Sequence, residues 1–441
     1  MIWHVSIWIN LSGIGNQARN LAMNLNSVRT TDTIDVDLRE VIYALSDALD
    51  LVGIDDVGHG KRVGIMAAAC AQALGKSRAE TTFLFDLGML HDIGVSSTST
   101  HNNLVTQFDW GGSQVHCEVG HQLLKDFAPL ARLADPVHFH HTRWDKLSAM
   151  REVSGAVAEQ ANLIYLVDRV DALAAAHYAD GSLLMNAALI QKKISDNAGT
   201  YFSPLLVESF LAVSASEAFW LQLEPRGIQA ILQDMLGHGE PCRASVPELK
   251  QLARIFSRIV DAKSPFTAEH SLGVARLSRF LAERMNVSPL NCDKIEIAGL
   301  LHDLGKLRVP DEVLDKPGKL DERERKIINT HSYETYQILR QIRGFEDISQ
   351  WAAHHHEEPD GKGYPFHLAG DALPIEARIL RVADIFQAMA QNRPYRAGLS
   401  AEAVLDFLNQ MVNKGRLEAA IVNAAASDMQ AAMAAALPLS H

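Results

Sequence analysis

The chain carries one arrangement of histidines and aspartates twice, and this repeat limits the fold more than any other feature of the sequence. The matching positions are His59 and His270, His91-Asp92 and His302-Asp303, His116 and His331, His140-His141 and His355-His356, and Asp168 and Asp384. Their offset grows only from 211 to 216 residues along the chain. A chain with 19 histidines would rarely keep such an offset by chance. We therefore predict a duplicated domain with small insertions between the landmarks.

Apolar residues recur at helical spacing along most of the chain. Val274, Leu277 and Leu281 form one stripe, and Asp321 with Glu324 has the spacing of a helix-capping box. No run of alternating β-branched residues predicts a strand. At 441 residues, with 47% hydrophobic side chains, the chain is long enough for two cores of about 200 residues each. We predict an all-α fold with two tandem helical bundle domains.

The clearest domain boundary is GHGEPCRASVPELK at 237–250, where glycines and prolines interrupt the helical pattern. The apolar start of the chain lacks a basic segment and is interrupted by polar residues well short of a membrane span, so we expect neither a leader nor an anchor there. The predicted parts are a disordered extension at 1–30, a first domain at 31–236, a second domain at 245–415 and a C-terminal helical segment at 416–441.

Charge and cysteine content narrow the classes of partner. The formal net charge of -12 argues against duplex nucleic acid as a partner, so a phosphate-bearing ligand must meet local lysines, arginines or metal. The four cysteines are scattered, with no closely spaced pair, and are expected to be free thiols. That usage is typical of the reducing cytoplasm, and we expect no membrane contact.

The second copy of the repeat predicts a metal centre. Its five imidazoles and two carboxylates lie on separate predicted helices, so they can converge only inside a bundle. Buried together without a cation, these groups would lose hydration, and any charged imidazole would repel its neighbours. A donor set of nitrogen and oxygen favours Fe or Mn over a thiolate-rich zinc site. Two ions that share Asp303 and a hydroxide could direct in-line attack on phosphorus. The predicted ligands are His270, His302, Asp303, His331, His355, His356 and Asp384.

Three stretches of the second copy together resemble the HD-GYP subgroup of HD-superfamily metal phosphohydrolases, over about residues 250–415. They are HDLGK at 302–306, HHEEPDGKGYP at 355–365 and RILRVADIFQAMAQNRPYR at 378–396. The resemblance implies HD-type helical domains, a divalent metal centre commonly of iron, and hydrolysis of a cyclic dinucleotide to its linear form. Cyclic di-GMP is the substrate expected first, with 3'3'-cyclic GMP-AMP as the alternative.

The resemblance also assigns roles outside the metal ligands. Lys306 matches the catalytic lysine of the family and would act with Asp303; an ammonium there can offset charge on the phosphorane or help to protonate the leaving oxygen. Gly363 and Tyr364 belong to the GYP loop and would line the ligand pocket. Arginines at two further positions would hold phosphates, since guanidinium groups suit that task. Those positions are Arg393 and Arg396.

Two residues depart from the family pattern. Members with a third metal carry a glutamate four residues before the first histidine, where this chain has Phe266, so we expect two metal ions. The family often has an aspartate in the ligand pocket three residues after its last ligand, where this chain has Gln387. We expect Gln387 to contact the substrate, and the change to an amide leaves the preferred nucleobases open.

The first copy keeps every metal-type position and loses the rest. Its possible metal site consists of His59, His91, Asp92, His116, His140, His141 and Asp168. Val95 stands at the lysine position, Ser148 to Met150 replace the GYP residues, and His177 and Asp180 replace the arginines. Three interpretations stay open: a metal-containing silent domain, a hydrolase such as a 5'-nucleotidase for the linear product, and an empty relic.

Other classes of protein are also compatible with the sequence. A receptor could bind a cyclic dinucleotide without turnover, although Lys306 and the complete ligand set favour an enzyme. A nucleotidase of the broader HD class would leave the GYP stretch unexplained. The expected partners are the cyclic dinucleotide, a diguanylate cyclase at the GYP loop, and a second copy of the chain in a homodimer.

Overall fold

The computed structural model describes residues 34–53, 58–237, 242–264, 269–392 and 397–437. The predicted extension at 1–30 lies outside these ranges, as do Phe266, Arg393 and Arg396. Within the described ranges the regular structure is helical, and β pairing is limited to isolated bridges. The all-α prediction is confirmed.

Twelve α-helices of the described chain precede the boundary at 237–250. They are α1 Leu38–Asp50, α2 His59–Ala73, α3 Arg78–Leu90, α4 Thr98–Thr106, α5 Gln114–Leu124, α6 Ala134–Phe139, α7 Trp144–Leu147, α8 Gly155–Ala179, α9 Leu183–Ser195, α10 Pro204–Val213, α11 Glu217–Leu221 and α12 Pro225–Gly237. The central pair is α2 and α3, and α8 packs against α2.

Ten described helices follow the boundary. They are α13 Val246–Lys263, α14 His270–Arg284, α15 Pro289–Leu301, α16 Asp311–Leu314, α17 Glu322–Leu339, α18 Glu346–Ala353, α19 Ile375–Ala390, α20 Ala401–Asn413, α21 Ala419–Ala426 and α22 Met429–Ala436. Here α14 packs against α15 and α19, which is the arrangement of α2 with α3 and α8 in the first domain. The capping box predicted at Asp321 and Glu324 begins α17.

The glycine after each His-Asp pair allows the third histidine of each copy to come close. A Cβ atom on Gly305 would lie 2.1 Å from the carbonyl oxygen of His331, and one on Gly94 would lie 2.0 Å from that of His116. Only glycine, which has no Cβ atom, allows the two backbone segments to come this close. Thr335 on α17 reinforces the contact, because its hydroxyl accepts the N–H of Gly305 at 2.9 Å and donates to the carbonyl of His302 at 3.1 Å.

The C-terminal helices pack onto the second bundle. Both α21 and α22 contact α14 and α19, and their apolar residues Ile421 and Ala432 are fully buried. A Cβ atom on Gly273 of α14 would lie 2.2 Å from the carbonyl oxygen of Ala436. The segment predicted at 416–441 therefore completes the core around the second site as far as residue 437.

A buried lysine joins the two domains. The ammonium group of Lys263, whose side chain is fully buried, donates to Asp311 at 2.9 Å and to the hydroxyl of Thr98 at 3.3 Å. The Asp311 carboxylate also accepts the hydroxyl of Ser97 at 2.9 Å. Because Ser97 and Asp311 lie a few residues beyond the two His-Asp pairs, the turns that leave the two sites meet at this junction.

None of the described helices is long and apolar enough to cross a lipid bilayer. The four cysteines all have free thiols, as the sequence predicts.

Candidate active site

The second copy of the repeat converges on Asp303. His270 begins α14, His302 and Asp303 follow α15, and His331 lies on α17. One oxygen of Asp303 lies 3.4 Å from Nε2 of His331, and the other lies 3.3 Å from Nε2 of His302. The remaining contacts of the cluster are His355 Nε2 to Asp303 at 3.9 Å, His270 Nε2 to Asp303 at 3.7 Å and His270 Nε2 to Asp384 at 3.3 Å. His356 joins His331 and His355 within the same cluster.

Hydrogen bonds to the backbone fix which nitrogen of each imidazole faces Asp303. In His302, His331 and His355, Nδ1 contacts the carbonyl oxygen three residues earlier, at 2.8, 2.6 and 2.6 Å. Nδ1 must therefore carry the proton, and the unprotonated Nε2 points at the carboxylate. Both Nε2 of His302 and Oδ1 of Asp303 are buried without a hydrogen-bond partner. Lone pairs that face one another in this way need a cation between them, so the residues fit a metal ion.

Burial favours the neutral imidazole at His331 and His355, whereas at His302 the carboxylate of Asp303 outweighs burial and raises the pKa. Burial lowers the pKa of His331 to about 4. Burial, together with the adjacent imidazoles, lowers the pKa of His355 well below its usual value. Burial alone would raise the pKa of Asp303, but His302 and Lys306 outweigh it and hold this pKa well below the usual range. Neutral imidazoles beside an ionised carboxylate are the form in which a divalent cation binds.

Lys306 lies at the open side of the cluster. Its ammonium group donates to Oδ2 of Asp303 at 2.5 Å, and a fifth of the side chain is exposed. It sits on the 3₁₀ turn Leu304–Arg308 directly after the His-Asp pair. The group can therefore contact both a metal ligand and a molecule that enters from solvent.

The GYP loop is folded back onto the two adjacent histidines. The ring of Tyr364 stacks on His356, with centroids 4.8 Å apart and planes inclined by 32°. Gly363 is buried, and a Cβ atom there would lie 2.4 Å from Cα of Glu357. Tyr364 therefore lies against the histidine cluster, whereas Gly363 allows close packing of the loop.

Glu357 anchors this loop, a role that the sequence analysis missed. Its fully buried carboxylate accepts the backbone N–H groups of Phe366, His367 and Leu368 at 2.6, 3.1 and 3.0 Å. The sequence does contain a signal for this role, because Glu357 directly follows two histidines and precedes a loop rich in glycine and proline. The backbone N–H groups of such a loop have no partners in a helix or sheet and need another acceptor.

Glu357→Gln is expected to raise KM for the substrate about tenfold and to speed hydrogen exchange at 363–368. The amide offers one acceptor oxygen to three backbone N–H groups and directs its own donor at the others, at an expected loss of about 1 kcal/mol. Steady-state kinetics and exchange mass spectrometry would measure the two effects. Glu322→Gln, on an exposed residue of α17, is the matched control. Unchanged exchange at 363–368 would contradict the anchoring role.

The side chain of Gln387, for which a substrate contact is expected from the sequence, faces His270 in the structure. Its side chain is fully buried, and Oε1 accepts a hydrogen bond from Nδ1 of His270 at 2.5 Å. Gln387 lies three residues after Asp384 on α19, so both side chains point from the same face of the helix toward His270.

The first copy forms a similar cluster around Asp92. Nε2 of His116 lies 3.2 Å from its Oδ1 and Nε2 of His91 lies 3.6 Å from its Oδ2, while His59 lies 3.5 Å from Asp168. The other ligand-type residues of this cluster are His140 and His141. Nδ1 of His91 and of His140 contacts a backbone carbonyl, at 2.7 and 2.6 Å, as in the second copy, whereas Nδ1 of His116 is buried without a hydrogen-bond partner.

The surroundings of the first cluster differ from those of the second. Val95, at the lysine position, is buried. The cation of this cluster lies at the other carboxylate, because Arg169 donates from Nε and Nη2 to Asp168 at 3.1 and 2.9 Å. His177 and Asp180, at the arginine positions, both bond to Ser182. The turn at 148–150 takes the place of the GYP loop. These predicted positions provide no cationic clamp for a phosphodiester.

The helical bundle with its paired His-Asp clusters defines an HD-domain metal phosphohydrolase. The HD domain family profile matches residues 254–421. The 3'3'-cGAMP-specific phosphodiesterase 1 of Vibrio cholerae is 36% identical over 396 residues, which cover 88% of this chain and 90% of that protein. The chain belongs to the HD-GYP family.

Further relatives share parts of the chain. The 3'3'-cGAMP-specific phosphodiesterase 3 of Vibrio cholerae is 30% identical over 67% of this chain and 63% of that protein. The cyclic di-GMP phosphodiesterase response regulator RpfG of Xanthomonas campestris is 34% identical over 45% of this chain and 53% of its own. The crystal structure of the V. cholerae cyclic GMP-AMP specific phosphodiesterase V-cGAP3 covers 90% of this chain and 98% of its own, with a TM-score of 0.62 and 24% identity. This last likeness supports the fold of both domains.

Proposed function

We propose that the chain is a metal-dependent phosphodiesterase that hydrolyses a cyclic dinucleotide to its linear form at the second cluster. The observation that carries the proposal is the set of unprotonated Nε2 atoms directed at Asp303, with the ammonium group of Lys306 beside it. This combination provides a cation site and an adjacent group that can stabilise negative charge. Relatives named for this activity match along most of the chain.

Each group of the second site has a definite task in this proposal. Divalent ions, when bound, supply Lewis acidity and an activated water molecule. The backbone hydrogen bonds of the histidines hold the ligand nitrogens in place before substrate arrives. Lys306 directs its ammonium group at the oxygen atoms of the phosphate, where charge increases in the transition state. Tyr364 presents an aromatic face on which a ribose or base can pack.

We infer a centre of two ions, with iron or manganese as the metal. The second site offers two groups of donors, His331 with His355 and His356, and His270 with His302 and Asp384. Asp303 lies between the groups and has one oxygen for each. Nitrogen and oxygen donors without thiolate suit these metals.

For the substrate, the relatives favour 3'3'-cyclic GMP-AMP as the first compound to test. Two relatives that match long stretches of this chain are named for it, while RpfG is named for cyclic di-GMP. Cyclic di-GMP, which the sequence motifs place first, remains the second compound. The arginines proposed to hold its phosphates, Arg393 and Arg396, lie outside the described residues.

The test is product analysis on both cyclic dinucleotides with iron and manganese quantified in the same sample. Anaerobic protein is expected to convert at least one compound to its linear dinucleotide. Tight binding without product would favour the receptor, and hydrolysis confined to mononucleotides would favour an HD nucleotidase. Either result would overturn the proposal.

The first cluster is proposed as a second metal centre that does not open the ring. Asp92→Asn in the full chain is expected to reduce the bound metal and to leave ring opening within about threefold, because the proposed catalytic lysine stands only beside Asp303. Metal analysis and product chromatography check both parts. If linear dinucleotide then persists where the parent protein dephosphorylates it, the first domain acts as a 5'-nucleotidase. An unchanged metal content would support the empty relic.

We propose that a partner protein contacts the outer side of the GYP loop. We also propose that the protein works in a reducing cytoplasm. Phe366 packs against Tyr336 at 5.4 Å and Tyr333 at 6.1 Å between centroids, and both Phe366 and Tyr333 are exposed. This aromatic surface could bind a diguanylate cyclase or a second copy of the chain. Phe366→Ser should weaken co-sedimentation with a cyclase or shift the sedimentation coefficient of the protein alone, and the absence of both effects would exclude the surface.

A further inference from the structure

The two clusters differ in the group behind their first histidine. In the first domain, Nδ1 of His59 bonds to the carboxylate of Asp171 at 2.8 Å. Arg62 and Tyr178 hold that carboxylate, with Nε and the hydroxyl each 2.7 Å from Oδ1. In the second domain, Nδ1 of His270 bonds to the neutral amide of Gln387 at 2.5 Å. The same ligand position therefore has a charged partner in one cluster and an uncharged partner in the other.

The amide of Gln387 is oriented with its oxygen toward Nδ1 of His270. The side chain is fully buried, and a Cβ atom on Gly273 would lie 2.9 Å from its Cγ, so α14 closes the space around it. Its Nε2 is buried without a hydrogen-bond partner. A flipped amide would direct this donor at Nδ1 of His270 and move the imidazole proton to Nε2, which faces Asp384 at 3.3 Å. The observed orientation leaves one amide donor unsatisfied and keeps Nε2 of His270 able to bind metal.

The strength of a histidine ligand depends on the group that accepts its other proton. A carboxylate makes the imidazole more basic than an amide does, because it carries a full charge where the amide offers a dipole. Changes in such outer groups typically alter metal affinity by about 10- to 100-fold.

We propose that Gln387 is a positioning residue that sets the metal affinity of the second centre. It holds His270 in the tautomer that binds metal and polarises the ring less than Asp171 polarises His59. The second centre therefore exchanges its metal more readily than it would with a carboxylate at position 387. This inference rests on the metal-binding part of the proposed function and does not depend on the substrate.

Two nearly isosteric variants of Gln387 test the proposal. Gln387→Glu adds a charge in the same volume, and Gln387→Met removes the acceptor. In the full chain with Asp92→Asn, where the second centre is the one examined, manganese-loaded protein is mixed with excess EDTA and the release of Mn²⁺ is followed by its electron paramagnetic resonance signal. Release is expected to slow about tenfold in Gln387→Glu and to quicken about 10- to 100-fold in Gln387→Met.

Controls separate this role from a loss of folding. Gln410→Glu adds the same charge at an exposed site on α20 and is expected to release Mn²⁺ at the parent rate. Circular dichroism establishes that each variant is folded. Equal release from Gln387→Glu, Gln387→Met and the parent would overturn the proposal, as would a parent protein that binds no Mn²⁺. A protein that shows the expected order of release but cleaves neither cyclic dinucleotide would refute the proposed function alone.

Discussion

Asp303→Asn is expected to reduce ring opening of both cyclic dinucleotides by at least about a thousandfold, or about 4 kcal/mol. The carboxylate lies within 3.9 Å of four imidazole Nε2 atoms. An amide in its place removes the negative charge and directs an N–H group into the space where a cation is needed. We therefore expect metal to be lost from the second centre together with activity. Initial rates by chromatography and metal analysis of the same preparation measure both.

Asp92→Asn is the matched control, since it makes the same change at the same position of the first cluster. We expect Asp92→Asn to retain ring-opening activity and Asp303→Asn to lose it. If Asp303→Asn cleaves both compounds at the parent rate, the chemistry does not occur at the second cluster. If both variants are inactive, the two clusters depend on one another for ring opening.

Lys306→Met is expected to lower kcat by about 100- to 1,000-fold while the metal content stays near that of the parent protein. The ammonium group contacts Asp303 through Oδ2 and is partly open to solvent. Its removal takes a positive charge from the place where the phosphate oxygens gain negative charge, and leaves all seven ligands. The measurement is a full kinetic analysis with metal quantified.

Lys326→Met changes an exposed lysine on α17 and should leave kcat unaltered. A Lys306→Met protein that loses its metal would show that the lysine is needed for metal binding at Asp303, contrary to the expected result. If Lys306→Met has the metal content and the kcat of the parent protein, Lys306 takes no part in catalysis.

The convergence of the histidines and aspartates could be predicted from the sequence because each position occurs in both copies. A His-Asp pair and a His-His pair keep their chemistry and their spacing in both copies, and helical periodicity places them on inward faces. The structure brings His270 and His302 together with Asp384, as the repeat predicts.

The supporting residues were harder to predict, because their roles depend on the direction of a side chain. Glu357 follows two ligands in the sequence, yet its partners are backbone groups nine to eleven residues later. The three-residue spacing of Gln387 from Asp384 on one helix predicts that both side chains point toward His270. The family resemblance, in contrast, predicts a contact with substrate. Arg169 places a cation on Asp168, the counterpart of Asp384, and sequence offset alone cannot show this contact.

The junction at Lys263 has an evolutionary consequence for the duplicated chain. In the absence of the first domain, this buried ammonium would lose the hydroxyl of Thr98 and the carbonyl of Ser96, and Asp311 would lose the hydroxyl of Ser97. The pair of Lys263 with Asp311 at 2.9 Å would remain but would open to water, and each lost hydrogen bond to the first domain costs about 1 kcal/mol. The second copy is therefore more stable against the first, which gives a reason to retain the first copy that does not depend on catalysis.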